Sequence, residues 1–382
     1  MAPSVRHRPT VANIDLAALR HNLQVVRSQL PGPHASLMAA VKADAYGHGL
    51  LPVATTLARE GLGWFGVAIV EEGLQLRAAG IDADILVLGG FLGESHGPAI
   101  AAGLCPVLYR AEDAERLQAL AREQGREVRV HLKVDTGMNR LGVPLANLDG
   151  FLDMLESCPR LKLDGVLTHL SAAEEPEADF TMAQLSSFEV AVGRVRARGH
   201  EPVWIHAANS AALMTGREPP GGLHCNLYRP GISLYGELPA TDLQDSWGLQ
   251  PVLSLKTAVS FVKWVEKGAS LSYGRTWTAP RRSLIATLPV GYGDGYPRAL
   301  SNRSTVLIKG QRAPVVGRVC MDLTLVDVTE LGSVREGDEV VLIGEQGGGR
   351  VTAGELARSL NTISYEVLSG IGSRVPREYE DL

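Results

Sequence analysis

Short apolar runs alternate with longer amphipathic stretches over the first two thirds of the chain. Eight runs between residues 35 and 235 are almost continuously apolar, which is typical of parallel strands buried on both faces. They cover residues 36–41, 64–70, 85–89, 105–109, 128–134, 163–170, 203–206 and 225–232. Apolar residues recur at helical spacing in residues 16–30, 51–60, 70–79, 111–123, 145–155 and 180–198.

This alternation of strands and helices predicts either a closed barrel or a doubly wound sheet. Eight strands favour the (β/α)8 barrel, the TIM-type fold, over the doubly wound sheet. In such a barrel the active site lies at the carboxyl ends of the strands, so chemically active residues are expected there.

The pattern changes after residue 235. Residues 242–247 are polar and read as a linker, and short β-type runs punctuated by Gly and Pro follow. We therefore expect an α/β plus β protein, with a barrel over residues 10–240 and a mostly antiparallel β domain over residues 241–382, with which residues 1–15 can also pack. The β-runs cover residues 253–265, 284–288, 304–308, 313–319, 323–328 and 339–343, and a last helix covers residues 352–360.

Composition narrows the class of protein. The 382 residues are 45% hydrophobic and 21% charged, which is globular rather than disordered. A net charge of −5 without a basic block disfavours nucleic-acid and anionic-membrane partners. No apolar run approaches the ~18 residues of a membrane span, and no secretory signal is visible. Four widely spaced cysteines predict neither a disulfide framework nor a metal site, and they favour the cytoplasm.

Lysine is scarce, with seven lysines against thirty arginines. One of them, Lys42, follows the first strand, at the face where barrels place their chemistry. A lysine removed from water has a lowered pKa and can form a Schiff base with an aldehyde. The alternative interpretation of Lys42 is a solvated lysine on the barrel rim.

Polar residues also follow the later strands. Asn209 and Ser210 precede a short apolar helix, whose N-terminus suits a phosphate or is simply N-capped. The backbone N–H groups of Gly231 and Ile232, after the eighth strand, could complete a phosphate site. Such sites are frequent after strands seven and eight of these barrels.

Several motifs together resemble the bacterial alanine racemases, which carry pyridoxal 5'-phosphate. Residues 39–49 (AAVKADAYGHG) are similar to the family's cofactor-attachment motif. The resemblance continues in the family's order as far as Arg377, and it departs from the commoner pattern at Ser369 and Ser373. The other matching segments are residues 131–142 (HLKVDTGMNRLG), 226–232 (NLYRPGI), 271–277 (LSYGRTW), 291–296 (GYGDGY), 320–322 (CMD) and 360–367 (LNTISYEV).

The resemblance implies a cofactor site in the barrel. Lys42 would hold the cofactor covalently and act in catalysis, and Leu88 would pack near its ring. Arg229 would face the pyridine nitrogen, and His169 and His206 would support either Arg229 or the ring. The phosphate would be bound by Tyr46, Tyr365, Asn209, Ser210, Gly231 and Ile232.

The resemblance also implies a substrate site that is shared in a homodimer. Tyr273 would come from the partner subunit as the second catalytic base, and Met321 would come with it and meet the carboxylate of alanine. Arg140 would bind that carboxylate, and Tyr292 would lie at the entrance. Lys133 would be carbamylated and hold Arg140, although the residues alone leave an ion pair of Lys133 with Asp135 open.

The implied function is the interconversion of L- and D-alanine, which supplies D-alanine for peptidoglycan. A guanidinium cannot accept a proton, so Arg229 would leave the pyridine nitrogen unprotonated and favour simple reprotonation at Cα. This argues against a decarboxylase, as does the lack of a Glu-Pro-Gly-Arg stretch. A serine or broad-specificity racemase of the same fold and a non-catalytic cofactor carrier remain as alternatives.

Overall fold

Two kinds of sheet organise the chain. The computed structural model describes residues 8–91, 93–175, 177–240 and 243–381. Within these residues, one parallel sheet is curled into a barrel and antiparallel sheets build the C-terminal part. The first strand, β1 (Val11–Asp15), precedes the barrel in sequence but belongs to a C-terminal sheet.

The parallel sheet confirms the predicted barrel. Its order, β10-β2-β3-β4-β5-β6-β8-β9, follows the chain around the ring, which excludes the doubly wound alternative. A parallel bridge between Asn209 and Arg229 joins the two ends. The strands are β2 (Ser36–Ala40), β3 (Trp64–Val67), β4 (Asp84–Val87), β5 (Cys105–Leu108), β6 (Val128–Asp135), β7 (Val143–Pro144, beside β6), β8 (Leu161–Leu167), β9 (Trp204–His206) and β10 (Leu227–Tyr228).

Helices cover the outside of the barrel. The six predicted helical stretches are all helical, because their apolar faces are buried against the strands. Asp15 caps the first of them by accepting a hydrogen bond from the Ala18 N–H. The helices of the barrel part are α1 (Leu16–Ser28), α3 (Leu50–Arg59), α4 (Val70–Ala78), α5 (His96–Ala101), α6 (Ala111–Glu123), α7 (Leu148–Glu156), α8 (Asp179–Ala197) and α9 (Ser210–Thr215), and those of the C-terminal part are α10 (Ala353–Leu360) and α11 (Ser364–Ser369). The short element α2 (Lys42–Tyr46) is a single turn whose residues from Ala43 onward have positive φ.

The barrel interior is filled rather than open. Side chains that point inward from the strands form an apolar layer. This layer leaves the functional groups to the carboxyl ends of the strands. Its members are Met38, Trp64, Leu86, Cys105, Val107, Leu167 and Leu227.

The C-terminal part is built from antiparallel ladders, with one exception. One sheet has the order β17-β16-β19-β11-β1-β21, in which β1 pairs with β21 in parallel. A second sheet has the order β12-β15-β18. The strands are β11 (Leu253–Ala258), β12 (Phe261–Val265), β13 (Ser270–Leu271), β14 (Trp277–Thr278), β15 (Ser283–Leu288), β16 (Thr305–Ile308), β17 (Gln311–Pro314), β18 (Thr324–Asp327), β19 (Glu339–Gln346), β20 (Gly349–Val351) and β21 (Arg377–Glu380).

Two predicted strands of the C-terminal part were clearly wrong in their extent, and of the run over residues 313–319 only residues 313 and 314 lie in a strand, β17. The run over residues 253–265 is two strands that lie in different sheets, because the chain bends between β11 and β12. Short 3-10 turns connect several elements of the chain. They cover Leu145–Asn147, Ile232–Tyr235, Tyr273–Arg275, Tyr292–Asp294, Arg298–Leu300 and Thr329–Leu331. None of the helices in the described ranges is long and apolar enough to cross a membrane.

Candidate active site

A cavity of about 530 Å³ opens at the carboxyl ends of the barrel strands. Twelve of the residues singled out from the sequence line it, most of them at or just after barrel strands that are far apart in the chain, and Tyr365 from α11. Tyr273, Tyr292 and Met321 do not line it. The twelve are Lys42, Tyr46, Leu88, Lys133, Arg140, His169, Asn209, Ser210, Arg229, Gly231, Ile232 and Tyr365.

The cavity is strongly basic. Its lining includes Lys42, Lys133, Arg140 and Arg229, and no carboxylate is among the lining residues that the structure describes. Burial, together with Arg140, lowers the pKa of Lys42, and Glu72 opposes this shift. Such an arrangement attracts an anion and disfavours the charged form of an amine.

Lys133 is buried at the end of β6, with 7% of its surface exposed. Burial and the neighbouring Arg229, Arg140 and Lys42 lower the pKa of its amine to about 8. Asp135 is engaged elsewhere, since its Oδ1 accepts hydrogen bonds from the Gly137 and Asn139 N–H groups at 3.0 Å. No ion pair of this amine is found among the residues that the structure describes, and a pKa of about 8 leaves a fraction of it neutral near physiological pH.

Arg229 is fixed by acceptors on several sides. Its Nη2 donates to the Thr168 and Ala207 carbonyl oxygens, both at 2.8 Å, and to His169 Nδ1 at 3.3 Å. Its Nη1 donates to His206 Nδ1 at 3.0 Å. Burial lowers the pKa of Arg229 only to about 10, so the side chain keeps its charge at neutral pH.

A histidine pair extends this network into the barrel. His206 Nδ1 accepts from Arg229, so its proton is on Nε2, which donates to His131 Nδ1 at 2.9 Å. Burial lowers the pKa of His206 well below its usual value and that of His131 to about 3, so both rings are neutral. Sequence reasoning gave His131 no role, because nothing in its motif shows that it faces His206.

Small residues and hydroxyls form a cradle at one end of the cavity. Ser210 Oγ accepts from the Gly231 N–H at 2.9 Å. A Cβ at Gly231 would lie 2.4 Å from the Tyr46 hydroxyl, so only glycine permits this approach. Asn209 caps α9 by accepting from the Ala212 N–H, which is the structural role left open by the sequence.

Two tyrosines complete the cradle. The rings of Tyr46 and Tyr365 are 5.8 Å apart. Burial raises the pKa of both phenols, so they are protonated hydrogen-bond donors. The cradle therefore presents hydroxyl and backbone N–H groups, the donor set that a phosphate requires.

Tyr273, Tyr292 and Met321 lie together on an exposed face of the C-terminal domain. Their exposed fractions are 72%, 41% and 53%. The Tyr292 N–H donates to the carbonyl oxygen of Cys320 at 3.0 Å, which joins their two segments. None of the three lines the cavity of its own chain, and their role in a partner's site stays a prediction.

Glu72 is a residue of this site that sequence reasoning missed. Its two carboxylate oxygens accept from the Ala43 and Ala68 N–H groups, both at 2.7 Å. Both of these residues line the cavity. From the sequence, Glu72 is an acidic residue in the first turn of α4, and such a residue usually indicates a helix cap. Nothing in the sequence indicates that it also accepts a hydrogen bond from the segment after Lys42.

Comparisons with known proteins agree over both parts of the chain. A family model for the N-terminal domain of alanine racemase matches residues 14–239, and one for its C-terminal domain matches residues 252–379. The alanine racemase of Geobacter sulfurreducens is 45% identical over 376 residues, which cover 97% of each chain.

Solved structures of alanine racemases are also similar over almost their full length. The protein from Bacillus anthracis, with bound L-Ala-P, has a TM-score of 0.91 at 34% identity and covers 99% of this chain and 96% of its own. The protein from Bartonella henselae, with covalently bound pyridoxal phosphate, has a TM-score of 0.86 at 29% identity and covers 97% of this chain and 99% of its own.

Proposed function

The chain belongs to the alanine racemase family of isomerases, and we propose that it interconverts L- and D-alanine with pyridoxal 5'-phosphate and two bases. The observation that carries this proposal is Lys42. Lys42 and Lys133 are the two lysines among the described residues that line the cavity. The rest of the polar lining consists of permanent cations and hydrogen-bond donors. That lining suits an anionic cofactor and an amino-acid carboxylate.

The cradle fits the cofactor's phosphate. Ser210, Gly231 and Ile232 would hold it with hydroxyl and N–H groups, and Tyr46 and Tyr365 would add protonated phenols. Lys42 would attach the cofactor covalently. When bound, pyridoxal 5'-phosphate supplies an electron sink that acidifies the Cα–H bond of the amino acid.

Arg229 would limit how strongly the cofactor ring withdraws electrons. All of its partners are acceptors, and the histidines that hold it are neutral. The guanidinium therefore presents only N–H groups to the ring nitrogen and cannot give up a proton to it at neutral pH. This favours returning a proton to Cα over side reactions such as transamination.

Lys42 and Tyr273 would exchange protons with opposite faces of Cα. Tyr273 does not line the cavity of its own chain and is 72% exposed, so we infer that a second copy supplies it in a homodimer with shared sites. A free phenol titrates near 10, and the basic cavity of the partner would favour its deprotonated form. Met321 and Tyr292 belong to the same face as Tyr273. In the dimer, Met321 would contact the substrate carboxylate and Tyr292 would lie at the entrance of the cavity.

Arg140 would bind the substrate carboxylate. Its side chain makes no hydrogen bond or ion pair with the described residues, so its planar fork is available. A carbamylated Lys133 would hold Arg140 through an anion, which the lowered pKa of that amine supports. The enzyme would act in the cytoplasm and supply D-alanine for peptidoglycan.

A panel of L-amino acids followed by chiral chromatography tests the reaction. We expect D-alanine from L-alanine in the presence of the cofactor. Comparable rates with L-serine would indicate a broad-specificity racemase, released amine a decarboxylase, and no turnover a carrier. Each of these outcomes contradicts the proposal.

Borohydride reduction and peptide mapping test the attachment site. Lys42→Ala should abolish covalent labelling, whereas Lys162→Ala, at an exposed lysine remote from the cavity lining, should label like the unchanged protein. A label on any other lysine would contradict the role of Lys42.

A further inference from the structure

The segment that follows Lys42 is wound left-handed. Ala43, Asp44, Ala45 and Tyr46 have φ values of 54°, 53°, 52° and 54°. Residues with a Cβ are strained in this conformation, because the Cβ approaches the following carbonyl oxygen. Four such residues in a row are unusual, since left-handed residues normally occur singly.

This left-handed turn (Ala43–Tyr46) sets the geometry of the site. It links Lys42 to Tyr46 and so determines where the Lys42 amine lies relative to the Tyr46 hydroxyl. Lys42, Ala43 and Tyr46 all line the cavity. A relaxed, right-handed turn would point these side chains in different directions. Strained backbone persists only where the surroundings hold it in place.

Contacts from outside hold the turn at both ends. At its start, Glu72 accepts from the Ala43 N–H at 2.7 Å. At its end, Arg377 Nε donates to the Gly47 carbonyl oxygen at 3.0 Å. A Cβ at Gly47 would lie 2.4 Å from the Leu368 carbonyl oxygen, so the C-terminal segment packs directly on the turn.

Arg377 joins the turn to that C-terminal segment. Its other donors reach the carbonyl oxygens of Ile371 and Gly372, both at 2.6 Å, and of Val375 at 2.8 Å. Every hydrogen bond described for this side chain therefore goes to backbone. The rigid fork of one guanidinium fixes four carbonyl groups relative to one another, which a lysine could not do.

We propose that Arg377 is a positioning residue for Lys42 and Tyr46, and that it acts by holding the left-handed turn against the C-terminal segment. The proposal rests on the proposed function, because it assigns no chemistry to Arg377. It places the C-terminal end of the chain among the determinants of the barrel site, although Arg377 itself does not line the cavity.

Arg77 offers a matched control. It is also partly buried, and its guanidinium donates to the carbonyl oxygens of Ile81, Ala83, Ala102 and Gly103. These carbonyls lie at the opposite end of the barrel, before strands β4 and β5 begin. Arg377→Met and Arg77→Met thus remove the same kind of contact, and only the first is next to the turn.

The two variants are compared by melting temperature, visible circular dichroism of the bound cofactor, kcat, and hydrogen exchange of the peptide covering residues 43–49. We expect similar losses of melting temperature. Only Arg377→Met should change the dichroism and speed exchange in residues 43–49. It should also lower kcat by about 10- to 100-fold, as expected for a displaced catalytic group. If Arg377→Met matches Arg77→Met in dichroism, kcat and exchange, the proposal is overturned.

A second variant keeps the test decisive if Arg377→Met does not fold. Glu72→Gln leaves one acceptor for two N–H groups, so it should loosen the turn from its other end and change the same signals. Glu71→Gln, at the exposed neighbouring residue, is its control and should change none of them. If Glu72→Gln behaves like Glu71→Gln, the proposal fails. If the protein without any substitution does not racemise alanine, the proposed function is overturned instead.

Discussion

The close approach of Gly231 to Tyr46 gives a prediction that tests the phosphate cradle. In Gly231→Ala the new Cβ would lie 2.4 Å from the Tyr46 hydroxyl oxygen, whereas ordinary contact begins at 3.4 Å. Tyr46 is 8% exposed, and its ring packs on Tyr235 at 4.9 Å and on Tyr365 at 5.8 Å. The hydroxyl must therefore retreat by about 1 Å within a packed environment.

A shift of this size would remove the proposed hydrogen bond from Tyr46 to the cofactor's phosphate. Hydrogen bonds to charged groups contribute about 1.5–3 kcal/mol. Since about 1.4 kcal/mol corresponds to a factor of ten, Gly231→Ala should weaken cofactor binding by about 10- to 100-fold. The clash is also present without cofactor, so the cofactor-free protein should lose about 1–3 kcal/mol of stability as well.

The affinity is measured by titrating cofactor-free protein while following its visible absorbance. Gly193→Ala is the control, since a Cβ there meets nothing within 4 Å. Repeating both titrations in a Tyr46→Phe background removes the hydroxyl that is displaced. Gly231→Ala should then weaken binding by less than about threefold. An equal loss in both backgrounds would refute the assignment of the effect to Tyr46.

Three further predictions address the chemistry and the buried network. Tyr273→Phe should keep the cofactor's visible absorbance and lower racemisation by about 10²- to 10⁴-fold, the usual contribution of a positioned base, and a near-normal rate would exclude Tyr273. Lys133 should take up carbon-13-labelled bicarbonate as a carbamate above its pKa of about 8 and lose it on acidification, as followed by carbon-13 NMR, whereas Lys133→Met should show no such signal. Burial lowers the pKa of His131 from 6.5 to about 3, so the unfolded chain binds more protons in this range and stability should fall as pH decreases from about 6.5 towards 3. His131→Phe should reduce this slope by up to about 1.4 kcal/mol per pH unit in urea unfolding, and an unchanged slope would show that His131 does not cause it.

The residues that end barrel strands could be placed from the sequence. Lys42, Lys133 and Arg229 each follow or end an apolar run, and barrel topology brings all such ends to one face. Their position required only the strand pattern and its count. The elements that escaped prediction lack such a pattern: β21 (Arg377–Glu380) is mostly charged and exposed, and it is held by pairing with β1.

The contacts that position the catalytic groups could not be predicted in the same way. The pairing of His131 with His206 depends on which strands become neighbours across the barrel and on how each ring turns. The left-handed turn is equally hidden, because alanine and aspartate rarely adopt positive φ and local preference predicts a right-handed helix. In both cases the geometry depends on tertiary contacts. Arg229 donates to His206, and Arg377 donates to the Gly47 carbonyl oxygen at the end of the turn.

The uneven use of lysine and arginine has a physical reason at this site. A guanidinium stays charged even when burial lowers its pKa, as for Arg229, so it serves where a permanent donor is required. The pKa of an amine in the same cavity is lowered, to about 8 for Lys133, so a larger fraction of it is neutral and can react as a nucleophile or base. In the proposed function, exchanging the two residue types would put a permanent charge where a neutral amine is needed, and a proton donor of variable charge opposite the cofactor's ring nitrogen. Two of the seven lysines of this chain therefore lie in the cavity, where a neutral amine can react as a nucleophile or base.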